Sequence, residues 1–265
     1  MRGDLRRLWR RRRPLAAYAT LYAQRVATAA DDEAAFVKQA AAELGRIEVS
    51  ADFIVGKRSV MRGVSWPAGM IVSPALNGAP QGLNARVLPF DPEAAKKLLA
   101  EAGYPNGIDL VLNSPNGRYP KDKEVAEAVA GQLTKAGIRI QLKVHEWTTY
   151  MNNLAYRHNA GPMWLIGWGN TAWDADYTFT PMYRTNQILA NYWNPDFNNL
   201  LEDGQTNMDQ KKRLQIYAKA SRFFIDDAPA IPLYQQIDNY GVSRKVQWTA
   251  RPDERIEGFS MAVQP

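Results

Sequence analysis

Residues 108–146 leave this chain few folds to choose from. Ile138, Ile140, Leu142 and Val144 alternate with Arg139, Gln141, Lys143 and His145, a period of two that argues for a strand with one face buried. Ahead of it, residues 121–136 place Val125, Ala128, Val129 and Leu133 on one helical stripe, with Gly137 as the stop. Residues 108–113, further upstream, read as another strand. Strand, helix and strand joined by short links predict a right-handed parallel βαβ unit, so the fold class is α/β.

The flanking sequence extends that pattern. Asp91-Pro92-Glu93 is a helix start, with a capping acid, proline at the first position and an acid in the first turn. Ala94, Leu98 and Leu99 then face inward, and Gly103 ends the helix. Residues 147–156 read as a further helix, and the apolar run 162–168 as a strand buried on both faces. Asn194-Pro195-Asp196 is turn chemistry before a short helix with Phe197, Leu200 and Leu201 on one side. Asp209 caps the next helix by accepting a first-turn backbone N–H. Leu214, Tyr217, Ala218 and Ile225 follow near helical spacing, Pro229 ends the run, and residues 230–234 read as a short buried strand. Residues 34–44 and 52–61 are expected to be helical, the second through Phe53, Ile54, Val60 and Met61. Residues 63–89 are loop-rich, interrupted by four prolines.

Charge narrows the class of partner. The net charge of +6 is accounted for by residues 1–13, where seven arginines stand against one aspartate. The rest of the chain is balanced, whereas a nucleic-acid-binding domain spreads its basic residues over a face or groove. No nucleic-acid partner is expected. No apolar run is long enough to cross a membrane. The arginines followed by residues 14–30 have the outline of an export signal, but Gln24 and Arg25 interrupt the apolar stretch. Residues 1–50 are therefore read as a leader outside the folded body, poorly ordered or partly helical.

Four segments, in order, carry a resemblance: FDPEAAKKLLAEAGYPNG (90–107), WLIGWGNTAWDADYTFTPMY (164–183), NYWNPDFNNLLEDGQTNMDQKKRLQIYAKASRFFIDDAPAIPLY (191–234) and WTARPDERI (248–256). Together they resemble the C-terminal lobe of the family 5 extracytoplasmic solute-binding proteins, the peptide-, dipeptide- and nickel-binding receptors of ABC importers. The resemblance covers most of residues 52–265. It implies one lobe of a two-lobed periplasmic-binding-protein-like fold, a mixed sheet flanked by helices. On that basis residues 51–237 are the solute-binding lobe. Residues 238–265 are a closing segment that would return to an N-terminal lobe not matched by this chain. Without that lobe, residues 238–256 are expected to pack loosely or to leave an apolar edge exposed. The implied function is the substrate-binding component of an ABC importer for a peptide or other small solute, in a truncated form, outside the cytoplasm and partnered by the importer's membrane subunits.

Open α/β sheets hold ligands beyond the carboxyl ends of their strands, which points to the loop after residue 168. Trp168, Asn170, Thr171, Trp173, Asp174 and Asp176 combine aromatic surface with a few polar groups, the composition of a small-molecule site. The alternative is that Trp168 is core and the acids cap the next helix. Trp147 and Tyr150 either form the next wall of the cleft or pack between helix and sheet. In peptide-binding members of the family an aspartate three residues before the acid matching Asp174 pairs with the peptide's α-amino group. Here Thr171 stands there, without the charge, so the resemblance implies a solute held in another way, such as a sugar or a modified peptide.

Other chemistry has little support. His145 and His158 match no metal spacing and there is no cysteine, so neither a metal nor a cofactor is expected, and His145 reads as solvated. Asp174 and Asp176, with Glu146 nearby, invite a two-carboxylate glycoside hydrolase. A non-binding remnant of a receptor is the stronger alternative, and no enzyme is expected.

Overall fold

The computed structural model describes residues 60–62, 65–80, 82, 91–251 and 254–263. The expected leader over 1–50, the helix over 34–44 and nearly all of the helix over 52–61 lie outside the described residues. Val60 and Met61 form a turn, with Met61 buried.

The βαβ unit is present. Strand β1 (Ser65–Pro67) precedes helix α1 (Pro92–Glu101), strand β2 (Ile108–Asn116), helix α2 (Asp122–Lys135) and strand β3 (Ile138–Glu146). β2 and β3 pair in parallel from Ile108 opposite Ile138 to Asn116 opposite Glu146. α1 starts as its sequence dictates, Asp91 Oδ1 accepting the Ala94 N–H at 2.9 Å. Ala95 and Leu99 of α1, Leu133 of α2 and Ala136 just after it, and Leu110 and Ile138 of the strands form one buried cluster. β2 runs three residues past its expected end and includes Pro115. Proline lacks the N–H that a central strand needs. It is tolerated because the strand on the other side, β4 (Met163–Trp164), pairs only with Leu112 and Asn113.

β4 corrects the expected strand over 162–168. Its residues are half-buried, and pairing extends only to the Leu165 N–H, 2.9 Å from Asn113 O. Beyond that, tyrosine hydroxyls take the loop's carbonyls. At the end of β3 the alternation also breaks, with Val144 exposed and His145 half-buried. His145 Nε2 lies 2.6 Å from Oδ1 of buried Asn113, whose amide nitrogen donates to Ala160 O. An amide anchored in this way presents its oxygen to His145, which overturns the solvated reading.

β3 leads into α3 (Trp147–Thr149), which widens into a π-helical turn (Tyr150–Ala155). After β4 come α4 (Asp176–Tyr183), α5 (Pro195–Thr206) and α6 (Gln210–Asp227). The caps predicted at Asn194 and Asp209 are formed, accepting from Phe197 N and from Lys211 and Lys212 N. The buried stripe of α6 is Tyr217, Ala220, Ser221 and Phe224, while Leu214 is exposed. One turn before Tyr217 the inward position belongs to Arg213. The Tyr217 ring sits between Gly78 and Gly204, where an added Cβ would come within 3.0 Å and 2.8 Å of it. A second core joins Met70, Val72, Phe179, Phe197, Leu201, Tyr217 and Phe224.

The chain ends in short strands. Residues 230–233 are irregular rather than a strand, and β5 (Tyr234–Gln236) pairs antiparallel with β1. β6 (Val246–Gln247) and β7 (Ala262–Val263) form their own antiparallel ribbon. Val242, Ile256, Phe259 and Val263 are exposed around it. Parallel and antiparallel pairings thus occur in separate sheets.

Candidate functional site

The carboxyl ends of β2, β3 and β4 converge on one edge of the parallel sheet. After β2 the chain turns sharply, and buried Asp122 latches the turn. Its carboxylate accepts the backbone N–H groups of Gly117, Arg118 and Tyr119 at 2.9–3.1 Å and that of Lys123 at 2.8 Å. Charge-assisted bonds of this kind are stronger than neutral ones, and they fix where Arg118 and Tyr119 point. After β3, Glu146 caps α3 by accepting from Thr148 and Thr149 N, which sets Trp147 beside the latched turn.

These residues make a shelf. The Tyr119 and Trp147 rings meet edge to face at 5.8 Å, and the exposed Arg118 guanidinium lies 5.2 Å from each ring centroid. Arg118 has no carboxylate partner among the described residues. A guanidinium on an aromatic face keeps its hydrogen-bonding fork free. Tyr119 donates to Gly167 O at 3.0 Å, and burial pushes its hydroxyl pKa up. Tyr234 of β5 is likewise pushed up by burial, to about 12, with Asp122 and Tyr119 adding to the rise.

Tyr150 stands behind the shelf. It is fully buried, stacks on Trp147 with ring centres 6.1 Å apart, and donates to Leu165 O at 2.7 Å. Its ring supports the wall without surfacing in it. Trp168 is half-buried, donates through Nε1 to Tyr177 O and packs on the Tyr177 ring. Beyond Trp168 the loop is tied into the protein. Asn170 Nδ2 donates to Asp174 O and Thr178 Oγ1, while Asn170 Oδ1 accepts from Asp174 N. Trp173 adopts φ +57° and passes its carbonyl to the Asn77 N–H. Thr171 is exposed.

The two acids of the loop face inward. Asp174 makes a fork-to-fork pair with Arg213 at 2.5 and 2.7 Å and also accepts from Asn77 Nδ2 and Asp176 N. Burial pushes its carboxyl up, and the bonds from Arg213, Asp176 and Asn77 outweigh that and hold it below the usual range. Asp176 accepts from Thr180 Oγ1 and Gln205 Nε2. Asp174, Asp176 and Glu146 thus all serve internal partners. Among the described residues no cluster of three or more acids, histidines or cysteines is arranged to hold a metal. Arg118 and Tyr119 escaped the sequence reading, though the rule that pointed to the loop after β4 applies equally to the turn after β2.

A parallel sheet flanked by helices, with an aromatic and cationic shelf at its carboxyl edge, is a lobe of an α/β binding protein. Residues 57–189, half of the chain, match the model for "Bacterial extracellular solute-binding proteins, family 5 Middle". The chain belongs to that family. It is 26% identical over 215 residues to heme-binding protein A of Haemophilus influenzae, covering 76% of this chain and 38% of that protein. It is 26% identical over 233 residues to a dipeptide-binding protein of Pseudomonas aeruginosa, covering 83% and 43%. The crystal structure of a dipeptide-binding protein from Pseudoalteromonas sp. SM9913 in complex with Met-Leu superimposes with a TM-score of 0.71 at 26% identity, over 86% of this chain and 45% of that one. The chain therefore spans about two fifths of the length of these curated relatives. No helix among the described residues is long and apolar enough to cross a membrane.

Proposed function

We propose that this chain is the solute-receiving lobe of an extracytoplasmic receptor that delivers a small, carboxylate-bearing solute to the membrane subunits of an ABC importer. The observation that carries this reading is Arg118, an exposed guanidinium on two aromatic rings at the carboxyl edge of the sheet, without a carboxylate partner among the described residues. A carboxylate approaching that fork makes two parallel hydrogen bonds at no cost of breaking an internal pair. Trp147, Trp168 and Trp173 supply the apolar walls, and Thr171 offers a neutral hydroxyl at the mouth. Tyr150, Asn170, Asp174 and Asp176 frame the cleft. The binding lobe is residues 51–237, and 238–265 is the segment that faces a second lobe, which closes over the ligand in a hinge motion.

Relatives named for dipeptides and for di- and tripeptides support a peptide-like solute. The test is a thermal melt of the full chain with dipeptides, N-blocked peptides, oligosaccharides and nickel. A ligand that binds only the folded state stabilises it by about 2.7 kcal/mol at a hundred times its dissociation constant. A saturable rise with the carboxylate-bearing solutes supports the receptor. A cooperative melt that no solute shifts supports the second reading, a lobe without a competent site, which the exposed Phe259 and Val263 favour.

A further inference from the structure

β3 lies at the edge of its sheet. The strands stand in the order β3-β2-β4, so no strand among the described residues pairs with β3 on its outer side. Two backbone bonds tell which groups that side presents. Ile108 N–H donates to Gly137 O at 3.0 Å, and Asn113 O accepts from Leu165 N–H at 2.9 Å. A residue's N–H and C=O leave a strand on one side, and those of the next residue leave on the other. Even-numbered residues of β2 therefore bond to β3, and odd-numbered ones face β4. On β3 the odd-numbered residues bond to β2. The outer edge is left with the N–H and C=O groups of Ile138, Ile140, Leu142 and Val144, which make no backbone bond among the described residues. Native proteins blunt such edges with short strands, proline or bulges. β3 is nine residues long, contains no proline and pairs one to one with β2 throughout. On the face that packs on Leu133 of α2, Ile138 is buried, Ile140 and Leu142 are half-buried and Val144 is exposed. On the other face Arg139, Gln141 and Lys143 are exposed, and Arg139 is held by Asp109 at 2.7 Å.

We propose that this edge docks a second copy of the chain, the two β3 strands pairing antiparallel about a two-fold axis at Leu142 to make one continuous sheet. A second copy is singled out because β3 is complementary to itself in this register. Leu142 opposes its own copy and Ile140 opposes Val144, so free edge groups meet free edge groups. The apolar row is covered where α2 leaves it open. On the other face Gln141 opposes Lys143. A slip of two residues either way sets Lys143 against Lys143 or against Arg139, and like charges directly opposite each other are destabilising. A slip of one residue brings outward groups opposite inward ones and forms no ladder. The contact is the same patch on both copies, so it closes as a dimer and does not propagate.

The deciding experiment is sedimentation velocity of the full chain over a dilution series, repeated on Val144→Pro, on Gln141→Lys and on Gln141→Lys combined with Lys143→Glu. The unaltered chain should show a reversible equilibrium between monomer and dimer. Val144→Pro deletes an outward N–H and spares the bonds to β2, and it should weaken the dimer at least about tenfold. Gln141→Lys opposes like charges twice across the axis and should weaken it about threefold to tenfold. Adding Lys143→Glu turns both pairs attractive and should restore at least the original affinity. Both positions are exposed, so neither lysine nor glutamate there should move the melting midpoint of the monomer. A monomer at every dilution overturns the proposal. So does a dimer that ignores Gln141→Lys or that Lys143→Glu fails to restore, since its contact then lies elsewhere, as on the exposed ribbon of β6 and β7. The receptor reading stands or falls on solute binding and is untouched by either result.

Discussion

The two ends of loop 165–176 carry charge on opposite terms. At the far end Asp174 is paired twice over with Arg213, braced by Asn77 and Asp176, and half-buried. At the near end Arg118 lies in the open on Tyr119 and Trp147, with no carboxylate partner among the described residues. Both arginines touch aromatic rings, Arg213 at 4.9 Å from Tyr217 and Arg118 at 5.2 Å from its two. Side-chain type therefore does not separate a structural charge from an available one. What separates them is whether the fold delivers a counter-charge.

The sharpest challenge to this contrast is Arg213→Met. It leaves Asp174 without its main partner in a partly desolvated site and should cost about 3 kcal/mol in urea denaturation. A loss below about 0.5 kcal/mol would mean that the knot is as dispensable as a surface pair. Asp174→Asn should cost about 2 kcal/mol near neutral pH. Its penalty has a defined pH dependence. The folded-state pKa of Asp174 is lowered, so its contribution is present above the unfolded carboxylate value and is lost as pH falls through the folded one. The gap between the protein and Asp174→Asn should therefore close in acid, and a gap that widens there would reverse the sign. Asp122→Ala frees the turn that aims Arg118 and should cost about 1–2 kcal/mol together with weakened solute binding. Arg118→Gln comes last in stability, within about 0.5 kcal/mol of the unaltered protein. It should nevertheless abolish the ligand-induced rise in melting midpoint, which would separate availability from structure in one variant.

Local signals were legible in the sequence because their physics is local. Asp91, Asn194 and Asp209 cap helices by reaching two or three residues along the chain, and the period-two run 138–144 lies on the predicted parallel strand. The knot was illegible because it is not local. Asp174 meets Arg213 across 39 residues and Asn77 across 97, and no spacing rule reports such partners. The inward place of Arg213 on α6 was illegible for the same reason: an arginine at an inward position reads as a surface residue until its acid is known. The hydroxyls of Tyr119 and Tyr150, which claim Gly167 O and Leu165 O, likewise shortened β4 in a way that apolar content could not announce.

The ring of Tyr217, lodged between Gly78 and Gly204, bears on how this protein can diverge. A methyl group at Gly204 would meet the ring at 2.8 Å, and at Gly78 at 3.0 Å on a backbone already at φ +83°. Three positions scattered over 140 residues of chain thus drift as one. A descendant that gains a side chain at 204 must first or simultaneously shrink residue 217, and each half of that exchange made alone leaves either a clash or a hole. Such an exchange crosses a fitness valley, so the trio should persist in lineages whose solutes have long since changed.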